Sequence, residues 1–130
     1  NATTLDTLFC QRRNLASPRF WGMLRDLARF YRNAPALLDI DGEGPTLGDY
    51  LTLGGYGAAF RDEHLVPMAS ALWSSPSTQI LRFPAKYLVR FMANHHMLQL
   101  TGRPEWRVVR GGSQRYVDAL RSAWRVQVRL

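Results

Sequence analysis

The sequence predicts a mainly helical domain with a small β component, an α+β fold. The chain has 130 residues, of which 46% are hydrophobic and 21% charged, a composition typical of one compact globular domain. Apolar residues recur at helical spacing through most of its length, and near the C-terminus apolar and polar residues alternate as in a half-buried strand. We therefore expect a mostly helical segment over residues 1–105 and a strand–helix–strand segment over residues 106–130.

The first clear helix begins at Ser17-Pro18 and ends near Asn33, because serine is a favourable N-cap and proline fits the first helical position. The preceding residues 1–16 are expected to form a short helix or an irregular entry. The face predicted to be buried comprises Phe20, Leu24, Leu27, Ala28 and Tyr31. The face predicted to be exposed comprises Arg25, Asp26, Arg29 and Arg32.

Residues 39–45 predict a loop, since they are acidic and rich in glycine. Thr46 and Asp49 then have the spacing of a capping box for a short helix that ends at Gly54-Gly55. A further helical stretch from Ala58 contains Pro67, which should break or kink it.

Two more helices are predicted to begin at Ser75-Pro76 and at Pro84, and the second is expected to run to about Leu100. Its predicted buried residues are Tyr87, Leu88, Phe91 and Met92. From residue 106 the pattern changes to a strand over 106–110, a turn at Gly111-Gly112, and a helix over 113–123.

The C-terminal helix is predicted to be capped by Ser113 and to pack Tyr116, Val117 and Leu120 inward. A terminal strand over residues 124–130 is expected to follow. Because the chain begins with Asn1 rather than Met and stops within this pattern, we expect it to be a piece of a longer protein.

The net charge of +7 does not by itself predict a nucleic-acid partner. The basic residues are scattered and form no tract with interleaved aromatic side chains, so no nucleic acid is expected to bind. The excess of basic residues in 64–130 leaves a membrane surface as a minor hypothesis, through long-range attraction.

Metal and thiol chemistry are also not expected. A single cysteine, Cys10, excludes a disulfide within the chain and is interpreted as a small buried hydrophobe. His95 and His96 are adjacent on a helix and point to different faces, so they lack ligand spacing. We expect His95 to be half-buried and His96 solvated.

Without a bilayer-spanning apolar run or a signal peptide, the predicted location is cytoplasmic.

Glycine-rich segments at residues 42–48 and 54–57 do not match a dinucleotide-binding fingerprint, so the chain is predicted to carry no complete dinucleotide site. The turn Gly111-Gly112-Ser113-Gln114 differs, because it leads into a helix N-terminus, where backbone N–H groups favour an anion or a polar ring edge. Two glycines also let a flat ligand approach the backbone. The alternative is that they form an ordinary tight turn.

Three stretches carry a resemblance that covers most of the chain: LFCQRRNLASPRFWGMLRDLARF, HLVPMASALWSSPSTQILRFPAKYLVRFMANHHMLQL and RPEWRVVRGGSQRYVDAL. The sequence resembles the FAD-dependent amine oxidoreductases of the flavin-containing amine oxidase superfamily, and more narrowly its bacterial predicted NAD/FAD-binding members. The resemblance implies a helical substrate-domain fragment of a two-domain flavoprotein whose Rossmann-type FAD domain lies outside this chain. The partners it implies are that FAD domain and a small-molecule or lipid-linked substrate.

The implied activity is transfer of a hydride from a C–N or C–C bond of the substrate to FAD. The resemblance assigns Gly111, Gly112 and Ser113 to the cofactor. It assigns Gln114, Met68, Leu72 and Trp73 to the substrate, and no residue is named as an acid or base catalyst. A free-standing helical protein-interaction module and a basic nucleic-acid-binding domain are the alternatives.

Overall fold

The computed structural model describes residues 10–99 and 107–124, and this part of the chain is mostly helical, which confirms the mainly helical prediction. The α-helices are α1 (Pro18–Asn33), α2 (Leu47–Leu53), α3 (Ala58–Phe60), α4 (Val66–Trp73), α5 (Ser77–Arg82), α6 (Ala85–Asn94) and α7 (Gln114–Ala123). Short 3₁₀ helices span Arg12–Ala16 and Ala34–Asp39, and a π-helical segment spans Arg61–Leu65.

The predicted N-caps at Ser17 and Thr46 are confirmed. The Ser17 hydroxyl accepts a hydrogen bond from the Phe20 N–H at 3.3 Å, and α1 has the predicted bounds. The Thr46 hydroxyl accepts from the Asp49 N–H at 3.1 Å and starts α2. These hydrogen bonds satisfy backbone donors that a helix start otherwise leaves unpaired.

Pro67 widens the helix that contains it instead of ending it. Proline has no N–H to donate to the carbonyl of Glu63, four residues earlier. The preceding turn is accordingly the π-helical segment Arg61–Leu65, and α3, this segment and α4 follow one another without a gap. The run ends at Ser74, which adopts a left-handed conformation with φ of 49°.

The buried core lies where these helices meet. Its buried side chains are Phe30, Ala34, Leu37, Leu47, Leu51, Phe60, Leu65, Val66, Ala69, Ile80, Ala85, Leu88, Val89 and Met92. Backbone hydrogen bonds from Leu47 N–H to the Phe83 carbonyl (2.8 Å) and from Ala85 N–H to the Pro45 carbonyl (3.0 Å) join the starts of α2 and α6.

The predicted buried face of α1 was partly wrong. Asp26 is buried and Ala28 is exposed, the reverse of the prediction, and Phe30 is completely buried. Asp26 tolerates burial because it has a backbone N–H partner on a neighbouring loop and arginine partners on its own helix, described below, which hydropathy alone does not reveal.

Helix α6 also differs from its prediction, since it ends at Asn94 and buries Lys86, while Tyr87 is 41% exposed. The Lys86 ammonium donates hydrogen bonds to the carbonyls of Ile40 and Gly42, the latter at 3.2 Å. The predicted loop over 39–45 is thus fastened to α6 by the one lysine of the chain.

The C-terminal segment is only partly as predicted. Helix α7 is confirmed, but the Ser113 side chain makes no cap hydrogen bond and α7 buries none of its residues. The expected inward packing of Tyr116 and Leu120 is wrong, because they remain 51% and 46% exposed and no described element packs over them.

The small β component is not seen among the described residues, where the β pairing is one isolated bridge between Thr46 and Pro84. Residues 107–109 adopt no regular secondary structure. Residue 106 and the predicted terminal strand beyond residue 124 lie outside the described residues.

Lys86→Met is expected to loosen the loop over residues 39–45, because it keeps the apolar stem and removes the donor to two carbonyls. We expect a loss of about 1 kcal/mol in unfolding free energy and faster proteolysis within the loop. The control is Arg90→Met on the exposed side of α6. Equal protease sensitivity of the two variants would contradict the role given to Lys86.

Candidate functional site

The glycine turn before α7 has the conformation that its sequence suggests. Gly111 and Gly112 both have φ of 85°, and Gly112 N–H donates to the Val109 carbonyl at 2.9 Å. Side chains rarely adopt this backbone conformation, so both positions favour glycine. A Cβ on Gly111 would lie 2.5 Å from the Arg115 side chain, whereas one on Gly112 would meet no described atom within 4 Å. Among the described residues, nothing therefore occupies the space beside the backbone of Gly112.

The two polar side chains of the turn are exposed. The Gln114 amide donates to the Asp118 carboxylate at 2.8 Å, one helical turn away, so a ligand that uses this amide must compete with that hydrogen bond. Ser113 contributes no side-chain hydrogen bond to the helix start.

The predicted substrate residues lie on α4. The Trp73 ring packs against Phe91 and Phe83, with centroids 5.0 and 5.7 Å apart, and is half-buried. Met68 packs at the margin of the core, whereas Leu72 is 41% exposed. Within the described residues, no hydrogen bond or ring contact joins these side chains to the glycine turn.

A cavity of about 340 Å³ lies elsewhere, between α1 and the start of α3. Its lining residues are Arg19, Gly22, Met23, Arg25, Asp26, Gly57, Ala58, Ala59 and Phe60. None of the sequence-predicted site residues borders it.

Asp26 is the buried polar group of this cavity, with 2% exposure. Its carboxylate accepts a hydrogen bond from the Gly57 N–H at 2.8 Å and lies 3.3 Å from the Arg29 guanidinium and 3.5 Å from that of Arg25. A buried carboxylate is tolerable when a positive charge and an N–H donor face it. Asp26 therefore ties α1 to the backbone that starts α3.

Arg29 extends this contact into an aromatic cluster. Its guanidinium lies 4.1 Å from the centre of the Tyr56 ring and donates to the Gly55 carbonyl at 3.0 Å. Burial, together with a hydrogen bond to Tyr56, raises the pKa of Tyr50 above its usual value. Tyr50 therefore stays protonated at neutral pH and does not act there as a base.

Charged groups at the cavity are engaged with one another. The Arg19 guanidinium donates to the Glu63 carboxylate at 2.8 Å, and this contact raises the pKa of Arg19. With Asp26 also paired, the geometry is that of a structural anchor and offers no acid–base pair aimed at a ligand.

Histidine and cysteine positions give no metal site. Among residues 10–99 and 107–124, no three His, Cys, Asp or Glu side chains are grouped to hold a metal ion. His95 is exposed rather than half-buried and packs on Phe91 with centroids 4.2 Å apart. His96 is exposed as predicted. Cys10 is exposed, so its prediction as a buried hydrophobe was wrong.

Sequence reasoning missed the cavity, although one signal pointed to it. Met23, Asp26 and Phe30 follow the spacing of a helix face, which places the carboxylate between two apolar side chains. The glycines at 54, 55 and 57 marked a loop with accessible backbone donors. Only the tertiary fold brings the carboxylate of Asp26 to a backbone donor of this loop.

No described helix is long and apolar enough to cross a bilayer. Comparison with known proteins found no matching family model, no matching curated protein and no matching solved structure.

Asp26→Ala is expected to lower the unfolding free energy by about 2–3 kcal/mol, because it leaves the Gly57 N–H without its acceptor and the Arg29 guanidinium without its neighbouring negative charge. Urea denaturation measures this loss. Asp62→Ala, which removes an exposed carboxylate paired with Arg61, is the control and should change stability little. Equal losses in the two variants would show that Asp26 is not the anchor.

Proposed function

We propose that this chain is the substrate-domain part of an FAD-dependent amine oxidoreductase-like enzyme. The proposal takes the reaction to be hydride transfer from a C–N or C–C bond of a small-molecule or lipid-linked substrate to the flavin. It includes a cytoplasmic location and an FAD-binding domain in another part of the same polypeptide. The small strand–helix–strand unit over residues 106–130 belongs to the same proposal.

The observation that carries the proposal is the backbone of Gly112. Gly111 and Gly112 both have φ of 85°, and at Gly112 no described atom lies within 4 Å of where a side chain would otherwise begin. A flat ring can approach such a backbone closely. The turn leads directly into α7, whose first N–H groups and positive dipole end favour an electron-rich ring edge.

The fit to FAD is limited to one edge of the cofactor. Gly111, Gly112 and Ser113 suit contact with a planar ring, since no described atom obstructs the approach to Gly112. No strand–G-x-G-x-x-G–helix unit exists in the chain to hold the pyrophosphate. When bound, the flavin supplies the hydride acceptor, and the residues of this chain orient it and the substrate.

Substrate contacts are proposed for Gln114 and for Met68, Leu72 and Trp73 on α4. The aromatic and aliphatic surroundings of Trp73 favour an apolar substrate group and exclude water from it. Because no hydrogen bond or ring contact joins α4 to the turn among the described residues, the proposal requires the substrate or the FAD domain to span them.

The first test is the visible absorption spectrum of the complete gene product, purified without added cofactor. We expect the visible absorption bands of a bound flavin, and we expect denaturation of the protein to release that flavin. A colourless protein that also fails to take up added FAD would overturn the proposal and favour a helical protein-interaction module.

The second test is Gly112→Val in that complete protein. A branched side chain at positive φ strains the turn and obstructs the ring, so we expect about tenfold weaker FAD retention and an altered visible circular dichroism of the flavin. Gly44→Val is the control, because Gly44 has a similar φ of 69° in a different loop. Identical flavin spectra and affinity in the two variants would rule out the assigned contact.

A further inference from the structure

Helix α7 carries an apolar face that no described element covers. Tyr116, Leu120 and Trp124 are 51%, 46% and 53% exposed. At about 100° per residue, Val117 lies at one edge of the same face, about 20° beyond Trp124, and Ala123 and Ala119 extend the face on the other side to an apolar arc of about 160°. Val108 and Val109, just before the turn, add exposures of 93% and 46%. Contiguous exposed apolar surface of this kind marks an interaction site.

The charges around this face are ordered. Arg115 and Arg121 each lie about 40° outside the apolar arc, on its two opposite edges, at about 100° per residue. Asp118, the one acidic residue of 107–124, lies on the side farthest from the middle of the arc. With Arg107 and Arg110, this stretch carries four arginines and one aspartate, a net charge of +3.

We propose that α7 and the two valines before it form an interfacial segment that binds the surface of an anionic lipid bilayer. Tyr116, Val117, Leu120 and Trp124 enter the boundary between headgroups and acyl chains. Arg115 and Arg121 extend along the edges of that face to lipid phosphates, and Asp118 points to water.

Charge complementarity favours a bilayer over a protein partner. A helix in the membrane interface needs an apolar face, basic residues at its borders and acidic residues opposite, which is the order found here. Tryptophan and tyrosine suit the headgroup level, because their rings are apolar with a polar edge. The proposal does not depend on the flavin chemistry and uses different atoms from the Gly112 contact.

The experiment measures sedimentation of the complete gene product with vesicles of phosphatidylcholine alone and of phosphatidylcholine with one quarter phosphatidylglycerol. We expect binding to the anionic vesicles in 0.1 M salt, loss of that binding at 0.5 M salt, and little binding to the neutral vesicles. Lipids with brominated acyl chains should quench the tryptophan fluorescence of the parent protein. The quenched part should be the contribution of Trp124, which is missing in Trp124→Phe.

Paired variants localise the effect. Leu120→Ser should weaken binding about tenfold, and Arg121→Gln about fivefold. The matched controls are Leu53→Ser, at a leucine 85% exposed on α2, and Arg90→Gln on the exposed side of α6. Since all four positions are exposed, the variants should keep the far-ultraviolet circular dichroism of the parent protein.

Failure of the complete gene product to bind anionic vesicles at low salt would overturn the proposal, and so would equal effects of the variants and their controls. Concentration-dependent dimerisation that Leu120→Ser abolishes, without vesicle binding, would assign it to a second copy. None of these outcomes depends on whether the protein contains flavin. The result of the vesicle experiment therefore tests the membrane proposal alone, and the flavin spectrum tests the proposed function alone.

Discussion

The described fold depends on one buried carboxylate. Asp26 on α1 accepts the N–H of Gly57, and that residue immediately precedes the continuous helical run through α3, the π-helical segment and α4. A side chain from one helix thereby supplies the cap for the start of another, where the sequence offers no capping side chain of its own. The contact therefore helps to fix the position of the start of α3 relative to α1.

Aromatic side chains pack beside the Asp26 contact and add to the interface between α1 and α3. Phe30, one turn beyond Asp26, packs against Phe60 with centroids 5.5 Å apart, and Tyr56 packs against both rings at 5.9 and 5.5 Å. Arg29 covers the outer face of Tyr56 and compensates the Asp26 charge. Desolvating this ion pair is costly, so its contribution lies in fixing one arrangement of the two helices, while the rings supply most of the favourable burial.

Local signals in the sequence predicted local structure well. Ser17, Thr46 and the paired glycines at 54–55 act through hydrogen bonds and backbone angles within a few residues, so their effects are visible in sequence. Asp26 and Lys86 were missed because charged residues are expected at the surface and their partners lie 31 and 46 positions away. The conformation of the glycine turn was also predictable from its own residues. The open side of Gly112 and the exposure of α7 depend instead on whether other parts of the chain pack against them, which the local sequence does not reveal.

This contrast separates two kinds of surface in the chain. Within residues 10–99, side chains make polar contacts between distant parts of the chain, and the cavity charges there are paired with each other. The segment over residues 107–124 buries no residue, and the side-chain hydrogen bonds of α7 to Asp118 and Ala119 span at most one helical turn. An apolar helix face gains little free energy while it remains in water. Burial by a contact outside the described residues therefore offers a larger gain in free energy at this segment than at the cavity. The backbone of the glycine turn and the apolar face of α7 are separate surfaces of the segment, so they can make two different contacts at once.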